Sequence, residues 1–323
     1  MSVRVESGGR LHFGFLNLSL SHDRLYGSLG VALDGPRVVV DAERAERVDC
    51  GHERAREYAE RACEVLDVPG ASVTVREELP VHAGLGSGTQ LALSVLAAVA
   101  TAYDRAPAVR AHAPELGRGG RSGVGVAAFE DGGFVLDAGH PTGLFTTAAP
   151  ARGEWTVPPV AARHDVPDDW RFVLVLPDAD PGKDGESEDE SMRAAVEAAD
   201  PGLADRISGV VTRSVLPALA TGDADAFGAA VAEVGRLNGA WYADEQGGVY
   251  RPPVGGIVDA LAGSPAVAGA GQSSWGPAVY GVTDASRADA AEEAGRAALD
   301  AVGVGGDVRV VAPRNEGASV VRD

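Results

Sequence analysis

The chain has 323 residues, and 45% of them are hydrophobic, which suggests two domains or one large domain with a sizeable core. Asp and Glu number 47 against 28 Lys and Arg, so the formal net charge is −19. This balance argues against general binding to nucleic acids or anionic membranes, because both require a basic protein surface.

The cations are almost all arginine, since Lys183 is the single lysine. Such a composition is typical of a halophilic protein from a salt-rich cytoplasm, although a GC-rich genome would also deplete lysine. The sequence has no apolar run that could span a membrane, no secretory signal, and two cysteines that make neither a disulfide framework nor a metal cluster. We therefore expect a soluble cytoplasmic protein.

The first half of the chain mixes strands with helices. β-Branched or alternating residues predict the strands, and apolar residues four apart or in a continuous run predict the helices. The pair Asp131-Gly132 predicts a hairpin turn between the last two strands. The predicted strands are Val3–Glu6, Val38–Asp41, Ala71–Glu77, Gly123–Phe129 and Gly133–Asp137, and the predicted helices are His52–Leu66 and Leu91–Tyr103.

The second half begins after a Pro-rich, weakly patterned stretch, His140–Pro167, which predicts domains of 1–160 and 161–323. Asp178–Ser191 predicts an acidic loop that leads into a helix, and Asp223 is a candidate N-cap. A few strands covered by several helices would make this half an α+β layer. Its predicted strands are Trp170–Leu176, Ala278–Val282 and Val308–Val311, and its predicted helices are Leu203–Leu219, Asp223–Tyr242 and Ala285–Val302.

The strongest local signal is a glycine-rich turn, Pro80–Gln90, between a predicted strand and the buried helix. Glycines let backbone N–H groups approach an anion closely, and a helix N-terminus adds partial positive charge. The spacing matches neither the Walker pattern nor the dinucleotide fingerprint. We interpret the segment as a phosphate site, with a tight turn capped by a serine as the alternative.

A second glycine-rich segment, Ala268–Pro277, carries an amide, two hydroxyls and an indole. Such groups are costly to bury without hydrogen-bond partners. A loop that faces a ligand therefore explains them better than a plain β-turn with a packed tryptophan.

Two further segments carry cations. Arg10 and His12 lie two residues apart on a predicted strand, so both face the same way and form a reasonable anion clamp. Arg118 and Arg121 lie in the glycine-rich stretch Gly117–Gly125, and these two arginines could close over a phosphorylated ligand. Surface salt bridges and a flexible linker, respectively, are the alternatives.

Together these segments resemble the GHMP superfamily of small-molecule kinases, and within it the archaeal β-ribofuranosylaminobenzene 5′-phosphate synthases. The resemblance implies an α+β, GHMP-kinase-like two-domain fold, with an N-terminal ribosomal S5 domain 2-like domain and a C-terminal ferredoxin-like α/β layer. It covers nearly the whole chain. The matching segments are Gly9–Gly14, Arg24–Gly27, Gly84–Gln90, Gly120–Gly125, Gln246–Gly248 and Gly271–Pro277.

The resemblance also implies the reaction. Phosphoribosyl pyrophosphate reacts with 4-aminobenzoate, or a close analogue such as 4-hydroxybenzoate, and CO₂ and pyrophosphate leave, in methanopterin-type biosynthesis with Mg²⁺ as cofactor. The implied partners are these small molecules, without nucleic acid or membrane, and the family suggests a homodimer.

The site residues expected from the resemblance fall into three groups. His12, Tyr26 and Arg10 are expected near the reacting centre, and Asp137 and Glu186 are candidate Mg²⁺ ligands. Expected to bind substrate are Arg24, Gly84, Leu85, Gly86, Ser87, Gly88, Thr89, Gln90, Arg121, Ser122, Gly271, Gln272, Ser273, Ser274 and Trp275.

Two departures separate the chain from the kinases of the superfamily. Ser87-Gly88-Thr89 stands where the kinases usually carry two serines, and no lysine precedes Lys183. Both departures weaken the case for ATP phosphotransfer and suit the synthase branch. An ATP-dependent GHMP kinase and a non-catalytic ligand-binding protein are the alternatives.

Overall fold

The structure, a computed structural model, describes residues 2–144, 150–179 and 185–322, without the side chains of 185–189 and 245. The strands are β1 (Val3–Asn17), β2 (Arg24–Arg44), β3 (Asp49–Cys50), β4 (Ala71–Glu77), β5 (Phe134–Asp137), β6 (His140–Pro141), β7 (Val160–His164), β8 (Trp170–Pro177), β9 (Gly269–Gln272), β10 (Val279–Asp284), β11 (Gly306–Val311) and β12 (Ser319–Arg322). The helices are α1 (Glu53–Leu66), α2 (Ser87–Ala102), α3 (Val109–His112), α4 (Val124–Glu130), α5 (Gly185–Ala198), α6 (Pro201–Val210), α7 (Leu216–Thr221), α8 (Ala224–Gln246), α9 (Val254–Ala262) and α10 (Ala288–Val302). A π-helical turn, Val211–Val215, joins α6 to α7.

The first sheet is built around the long antiparallel pair β1 and β2, which runs from Val3 opposite Ala42 to Asn17 opposite Tyr26. β12 pairs with the other edge of β1, while β4, β5 and β6 pair with β2, β3 with β4, and β7 with β5. Since β7 and β12 both belong to this sheet, the chain leaves the sheet after residue 164 and returns to it near its end. The domain boundary after residue 160 stays a prediction.

Helix α2 forms the centre of the first layer. Its residues from Gln90 to Ala102 are all buried, which agrees with a sequence that is apolar on nearly every face. It packs against β1, β2, α1 and α4. The predicted helix is therefore confirmed, although it begins earlier, at Ser87, inside the glycine-rich turn.

The second sheet is antiparallel, with the strand order β11-β8-β10-β9. Alternate residues of β8 enter two different cores: Phe172 and Leu174 pack in a cluster with β1 and α8, and Val173 and Val175 pack in a cluster with α9 and α10. Burial on both faces explains why β8 is a continuous apolar run rather than an alternating one. The first cluster joins the two sheets.

Most predicted elements of the second half are confirmed. Asp223 is the N-cap of α8, and its side chain accepts a hydrogen bond of 2.9 Å from the Ala226 N–H. Of the predicted acidic loop Asp178–Ser191, residues 180–184 lie outside the described residues, and α5 begins at Gly185. Within the described ranges, none of the helices combines the length and apolarity that a membrane crossing requires.

The predicted hairpin at Asp131-Gly132 is wrong in its first arm. Val124–Glu130 forms helix α4, and only Phe134–Asp137 is a strand. The Asp131 N–H donates to the Ala127 carbonyl over 2.8 Å, and Gly132 has a φ of +64°, so the Asp-Gly pair ends a helix instead of turning a hairpin. The short apolar run fits both periodicities, and burial beside α2 decides for the helix.

Candidate active site

The two glycine-rich segments contact each other directly. Ser273 Oγ donates to the Gly84 carbonyl over 2.7 Å, and the Ala278 N–H donates to the Ala83 carbonyl over 3.1 Å. A Cβ on Gly84 would lie 2.1 Å from the Ser273 carbonyl oxygen, and a Cβ on Gly276 would lie 2.1 Å from the Ala83 carbonyl. Only glycine allows the two backbones to approach this closely.

The N-terminus of α2 lies within the first of these segments. Gly86 is the N-cap with a φ of +83°, and no side chain caps this end. The N–H groups of Ser87, Gly88 and Thr89 have no partner within the helix, because the first turn lacks preceding carbonyls. Together with the helix dipole they favour an anion at this position.

Two arginines flank this helix start. Arg10 Nη1 donates to the Gly84 carbonyl over 2.5 Å, and its side chain lies 3.2–3.4 Å from where a Gly86 Cβ would be. Arg118 Nη1 lies 3.0 Å from the corresponding position on Gly88, and its guanidinium sits 5.3 Å from the centre of the Tyr58 ring. Arg118 is one of the two arginines that the sequence predicts could close over a phosphorylated ligand, although only Arg121 is among the expected substrate-binding residues.

The loop that carries Arg121 and Ser122 leads directly into helix α4, whose first turn contacts α2. Gln90 Nε2 donates to the Gly125 carbonyl over 2.9 Å, and a Cβ on Gly125 would lie 3.2 Å from Thr89 Cγ2. The end of the loop is therefore held near the first turn of α2. Arg24, in contrast, donates to the carbonyls of Ala138 and Gly139, over 2.5 Å each, and so stabilises the turn between β5 and β6.

Asp137 holds the end of the loop that carries Arg121 and Ser122. Its carboxylate is fully buried, and it accepts hydrogen bonds from the Gly123 N–H at 2.8 Å, the Gly139 N–H at 2.9 Å and the Ser28 hydroxyl. Ser28 Oγ also lies 2.6 Å from Ser122 Oγ. Burial raises the pKa of Asp137, while these hydrogen bonds oppose the rise.

No group of three or more metal-binding side chains occurs in the parts of the chain that the structure describes. Both oxygens of Asp137 already accept hydrogen bonds, so the geometry gives it a role in holding the loop. The Glu186 side chain lies outside the described residues. The magnesium roles of these two carboxylates stay predictions.

A pocket opens beside the glycine contact, between β1, α8 and the second glycine segment. Asn238 on α8 holds its wall by accepting from the Phe15 N–H at 2.6 Å and donating to the Phe15 carbonyl at 3.0 Å. The ring centroids of Tyr242 and Trp275 lie 4.4 Å apart, and both rings line the pocket. None of the described lining residues is an acid, lysine or arginine; they are His12, Phe13, Gly14, Phe15, Gly235, Asn238, Gly239, Tyr242, Gln246, Val249, Tyr250, Gln272, Ser274 and Trp275.

His12 lies where the pocket meets the glycine contact. Its N–H donates to Ser273 Oγ over 3.1 Å, and its carbonyl accepts from the Ser274 N–H over 3.2 Å. Burial first, and the neighbouring Arg10 guanidinium second, lower the pKa of His12 from 6.5 to about 3. The imidazole is therefore neutral at physiological pH.

The burial of neutral His12 predicts a loss of stability in acid. The unfolded chain binds a proton at His12 below pH 6.5, whereas the folded chain binds it only near pH 3, so the free energy of unfolding falls as pH drops from 6.5 towards 3. The slope from this group approaches about 1.4 kcal/mol per pH unit. His12→Asn should flatten the pH dependence, measured as denaturant midpoints between pH 7.5 and 4.5, each relative to the variant's own value at pH 7.5. Parallel curves for the two proteins would contradict the assignment.

Tyr26 lies near the start of β2, opposite Asn17 at the end of β1. It has a φ of +65°, and its ring packs 5.6 Å from Phe15 and 6.2 Å from His140. Phe15 lines the pocket, so Tyr26 supports the pocket wall from behind. The structure thus brings together Arg10, His12 and both glycine segments, and it places Tyr26, Arg24 and Asp137 around them.

Comparison with known proteins gives a consistent result. The model of the GHMP kinases N terminal domain matches residues 53–133, and the model of the GHMP kinases C terminal matches residues 215–301. Beta-ribofuranosylphenol 5′-phosphate synthase of Methanothermobacter thermautotrophicus is 32% identical over 98% of each chain. The protein of the same name from Archaeoglobus fulgidus is 31% identical over 88% of each chain.

Solved structures share the fold at low identity. Homoserine kinase from Cytophaga hutchinsonii has a TM-score of 0.64 at 17% identity, covering 99% of this chain and 97% of its own. Mevalonate diphosphate decarboxylase from Staphylococcus aureus has a TM-score of 0.69 at 12% identity, covering 99% and 98%. A complex with MVAPP, AMPPCP and magnesium has a TM-score of 0.65 at 13% identity, covering 100% and 99%. The expected two-domain α+β fold is confirmed.

Proposed function

The chain belongs to the β-ribofuranosylphenol 5′-phosphate synthase family of the GHMP kinase superfamily, and we propose that it transfers the 5-phosphoribosyl group of phosphoribosyl pyrophosphate to a para-substituted benzoate. The bond between the ribose C1′ and the pyrophosphate breaks, a bond forms between C1′ and the ring carbon that bears the carboxylate, and CO₂ leaves that carbon. The relatives' names specify a phenol product, which favours 4-hydroxybenzoate, with 4-aminobenzoate as the second acceptor.

One observation carries the proposal: an anion-binding loop adjoins an uncharged aromatic pocket. The Ser273 hydroxyl joins the two, because it accepts from the His12 N–H and donates to the Gly84 carbonyl. The two substrates have matching characters, since one carries phosphates and the other is a benzene ring. Their reacting carbons would meet at this junction.

On the loop side, the chain holds the leaving group. Negative charge develops on pyrophosphate as the C1′–O bond breaks, and the N–H groups of Ser87, Gly88 and Thr89 point to where it would lie. Arg10 adds a fixed positive charge beside them. Donors that are already oriented stabilise developing charge without reorganisation, which is the main catalytic contribution expected here.

On the pocket side, the chain holds the aromatic acceptor. Phe15, Tyr242 and Trp275 offer apolar ring faces and edges to a benzene ring. The described lining of the pocket is uncharged, so the acceptor's carboxylate loses hydration on binding and its departure as neutral CO₂ is favoured. Exclusion of water also protects the oxocarbenium-like ribose from hydrolysis.

Magnesium enters the site with the phosphates of the donor substrate. Mg²⁺ needs few protein ligands when it is bound to phosphates. Asp137 does not fit a protein-held magnesium site, because it is fully buried and both of its oxygens accept hydrogen bonds.

A direct assay tests the function. Protein in high salt, given phosphoribosyl pyrophosphate and Mg²⁺, should release CO₂ from carboxyl-labelled 4-hydroxybenzoate or 4-aminobenzoate, and pyrophosphate in equal amount. ATP in place of the pyrophosphate donor should give no release. Turnover of ATP with a small alcohol and no CO₂ from either benzoate would favour a GHMP kinase instead, and binding without any turnover would favour a non-catalytic protein.

A further inference from the structure

Two buried polar atoms in the aromatic pocket have no hydrogen-bond partner among the described residues: His12 Nδ1 and Gln272 Oε1. Their side chains are 4% and 8% exposed, so water does not replace the missing partners freely. An unpaired buried polar atom costs about 1–3 kcal/mol of stability. A pocket that carries two such atoms is built for a ligand that pairs with them.

The structure holds both residues in place through the backbone. They flank Ser273, since Gln272 ends β9 immediately before it and the His12 N–H donates to its hydroxyl. Gln272 Nε2 donates to the Ser274 carbonyl at 3.4 Å, which leaves Oε1 as the unpaired end of the amide. The pair therefore sits at the junction of the pocket and the glycine contact.

Resting on the proposed function, we propose that His12 and Gln272 form a hydroxyl-binding pair that recognises a hydroxyl group of the substrates. An amide oxygen requires a hydrogen donor, and neither a carboxylate nor a fully ionised phosphate provides one. A neutral imidazole Nδ1 accepts or donates according to its tautomer, and a hydroxyl satisfies either form. A hydroxyl therefore pairs with both atoms in either tautomer, whereas the amino group of 4-aminobenzoate, a good donor and a weak acceptor, suits only the tautomer in which Nδ1 accepts.

The substrates offer such hydroxyls from two sources. The ribose of the donor carries two, at C2 and C3 near the reacting C1, which suits a pair at the junction. The acceptor 4-hydroxybenzoate carries one para to its reacting carbon, across the ring from the junction. The chemistry is the same in both cases, so the experiment must separate the sources.

Gln272→Met is the test variant, because methionine keeps the length and approximate volume of glutamine and removes the unpaired amide oxygen, at the cost of the long 3.4 Å bond from Nε2 to the Ser274 carbonyl. The ligand-free variant should unfold at the same temperature as the wild type or at a higher one, since an unpaired polar atom is removed from the interior. Retained stability separates the pair from a merely structural role, which would lower the unfolding temperature.

The acceptor arm compares binding of 4-hydroxybenzoate and of benzoate by calorimetric titration. If the phenolic hydroxyl is the partner, the wild type should prefer 4-hydroxybenzoate by roughly 10- to 100-fold, and Gln272→Met should lose most of that preference. The donor arm compares kcat/KM for phosphoribosyl pyrophosphate and for its 2-deoxy and 3-deoxy analogues. If a ribose hydroxyl is the partner, the wild type should prefer phosphoribosyl pyrophosphate over the analogue that lacks this hydroxyl. That preference, the ratio of the two kcat/KM values, should fall by roughly 10- to 100-fold in Gln272→Met.

The outcomes separate this inference from the proposed function. A wild type that releases no CO₂ from either benzoate overturns the function itself. A wild type that is active, with both preference ratios unchanged in Gln272→Met, overturns the hydroxyl-binding pair alone. His12→Asn keeps a polar atom near the position of Nδ1. It should therefore retain more of the preference for the hydroxyl-bearing substrate than His12→Phe does.

Discussion

Gly84→Ala is expected to reduce kcat/KM by more than about 100-fold and to lower the free energy of unfolding by about 3 kcal/mol or more. The new Cβ would lie 2.1 Å from the Ser273 carbonyl oxygen, and the backbone at Gly84 has a φ of +91°. Relief of the overlap must separate the two glycine segments. The Ser273 hydroxyl would then lose its bond to Gly84, and the anion loop would lose its fixed position beside the pocket. Denaturant unfolding and steady-state kinetics measure the two effects.

Gly303→Ala provides the matched control. Gly303 has a φ of +68°, but a Cβ there would meet no heavy atom within 4 Å. Only the cost of the left-handed backbone remains, which is about 1 kcal/mol, and the kinetics should stay near those of the wild type. If Gly84→Ala costs no more than Gly303→Ala, the close contact of the two segments is contradicted.

Arg10→Met is expected to lower kcat/KM by roughly 100- to 1,000-fold, which is the range seen when one fixed donor to a developing negative charge is removed. Arg10 lies against the Gly84 carbonyl and the Gly86 turn, next to the N–H groups of the helix start. Methionine retains the apolar stem but loses the guanidinium. Arg10→Lys should recover only part of the activity, because an ammonium lacks the planar fork.

Arg37→Met controls for loss of charge. Arg37 is also an arginine of the first sheet, but it is exposed, donates to the Asp34 carbonyl at 2.7 Å and lies 3.7 Å from Glu6. Its removal should leave kcat/KM within about twofold of the wild type, since exposed ion pairs contribute little. Equal losses in the two variants would mean that net charge, rather than the position of Arg10, governs activity.

The sequence predicts most elements of the fold, because their patterns are long. Ala71–Glu77 alternates over its whole length and is a strand with those bounds, and the run around Leu91–Tyr103 is too apolar for anything but a buried helix. Val124–Glu130 is misassigned because seven residues fit a strand and a helix equally well. Only contact with α2 decides between them, and that contact is absent from a local pattern.

The candidate site is only partly predictable from the sequence. One side comes from a single continuous segment, and the other comes from residues far apart in the chain. The anion loop lies in one continuous segment, Gly84–Thr89, so its glycines and its helix start are visible together. The pocket is not local: Asn238 and Tyr242 come from a helix whose pattern reports burial alone, and they meet Phe15 across most of the chain. The position of Arg118 is not local either, because its approach to Gly88 depends on how the stretch Gly117–Gly125 folds against the start of α2.

The pairing of β12 with β1 has a consequence for the newly made chain. Glu6 pairs with Ser319 and Val3 with Arg322, so the strand that covers this edge is synthesised long after the strand it covers. Throughout that interval the nascent polypeptide presents an open β edge on which Val3 and Val5 lie next to the charges of Arg4 and Glu6. We expect those two charges to discourage neighbouring chains from adding to the unfinished sheet.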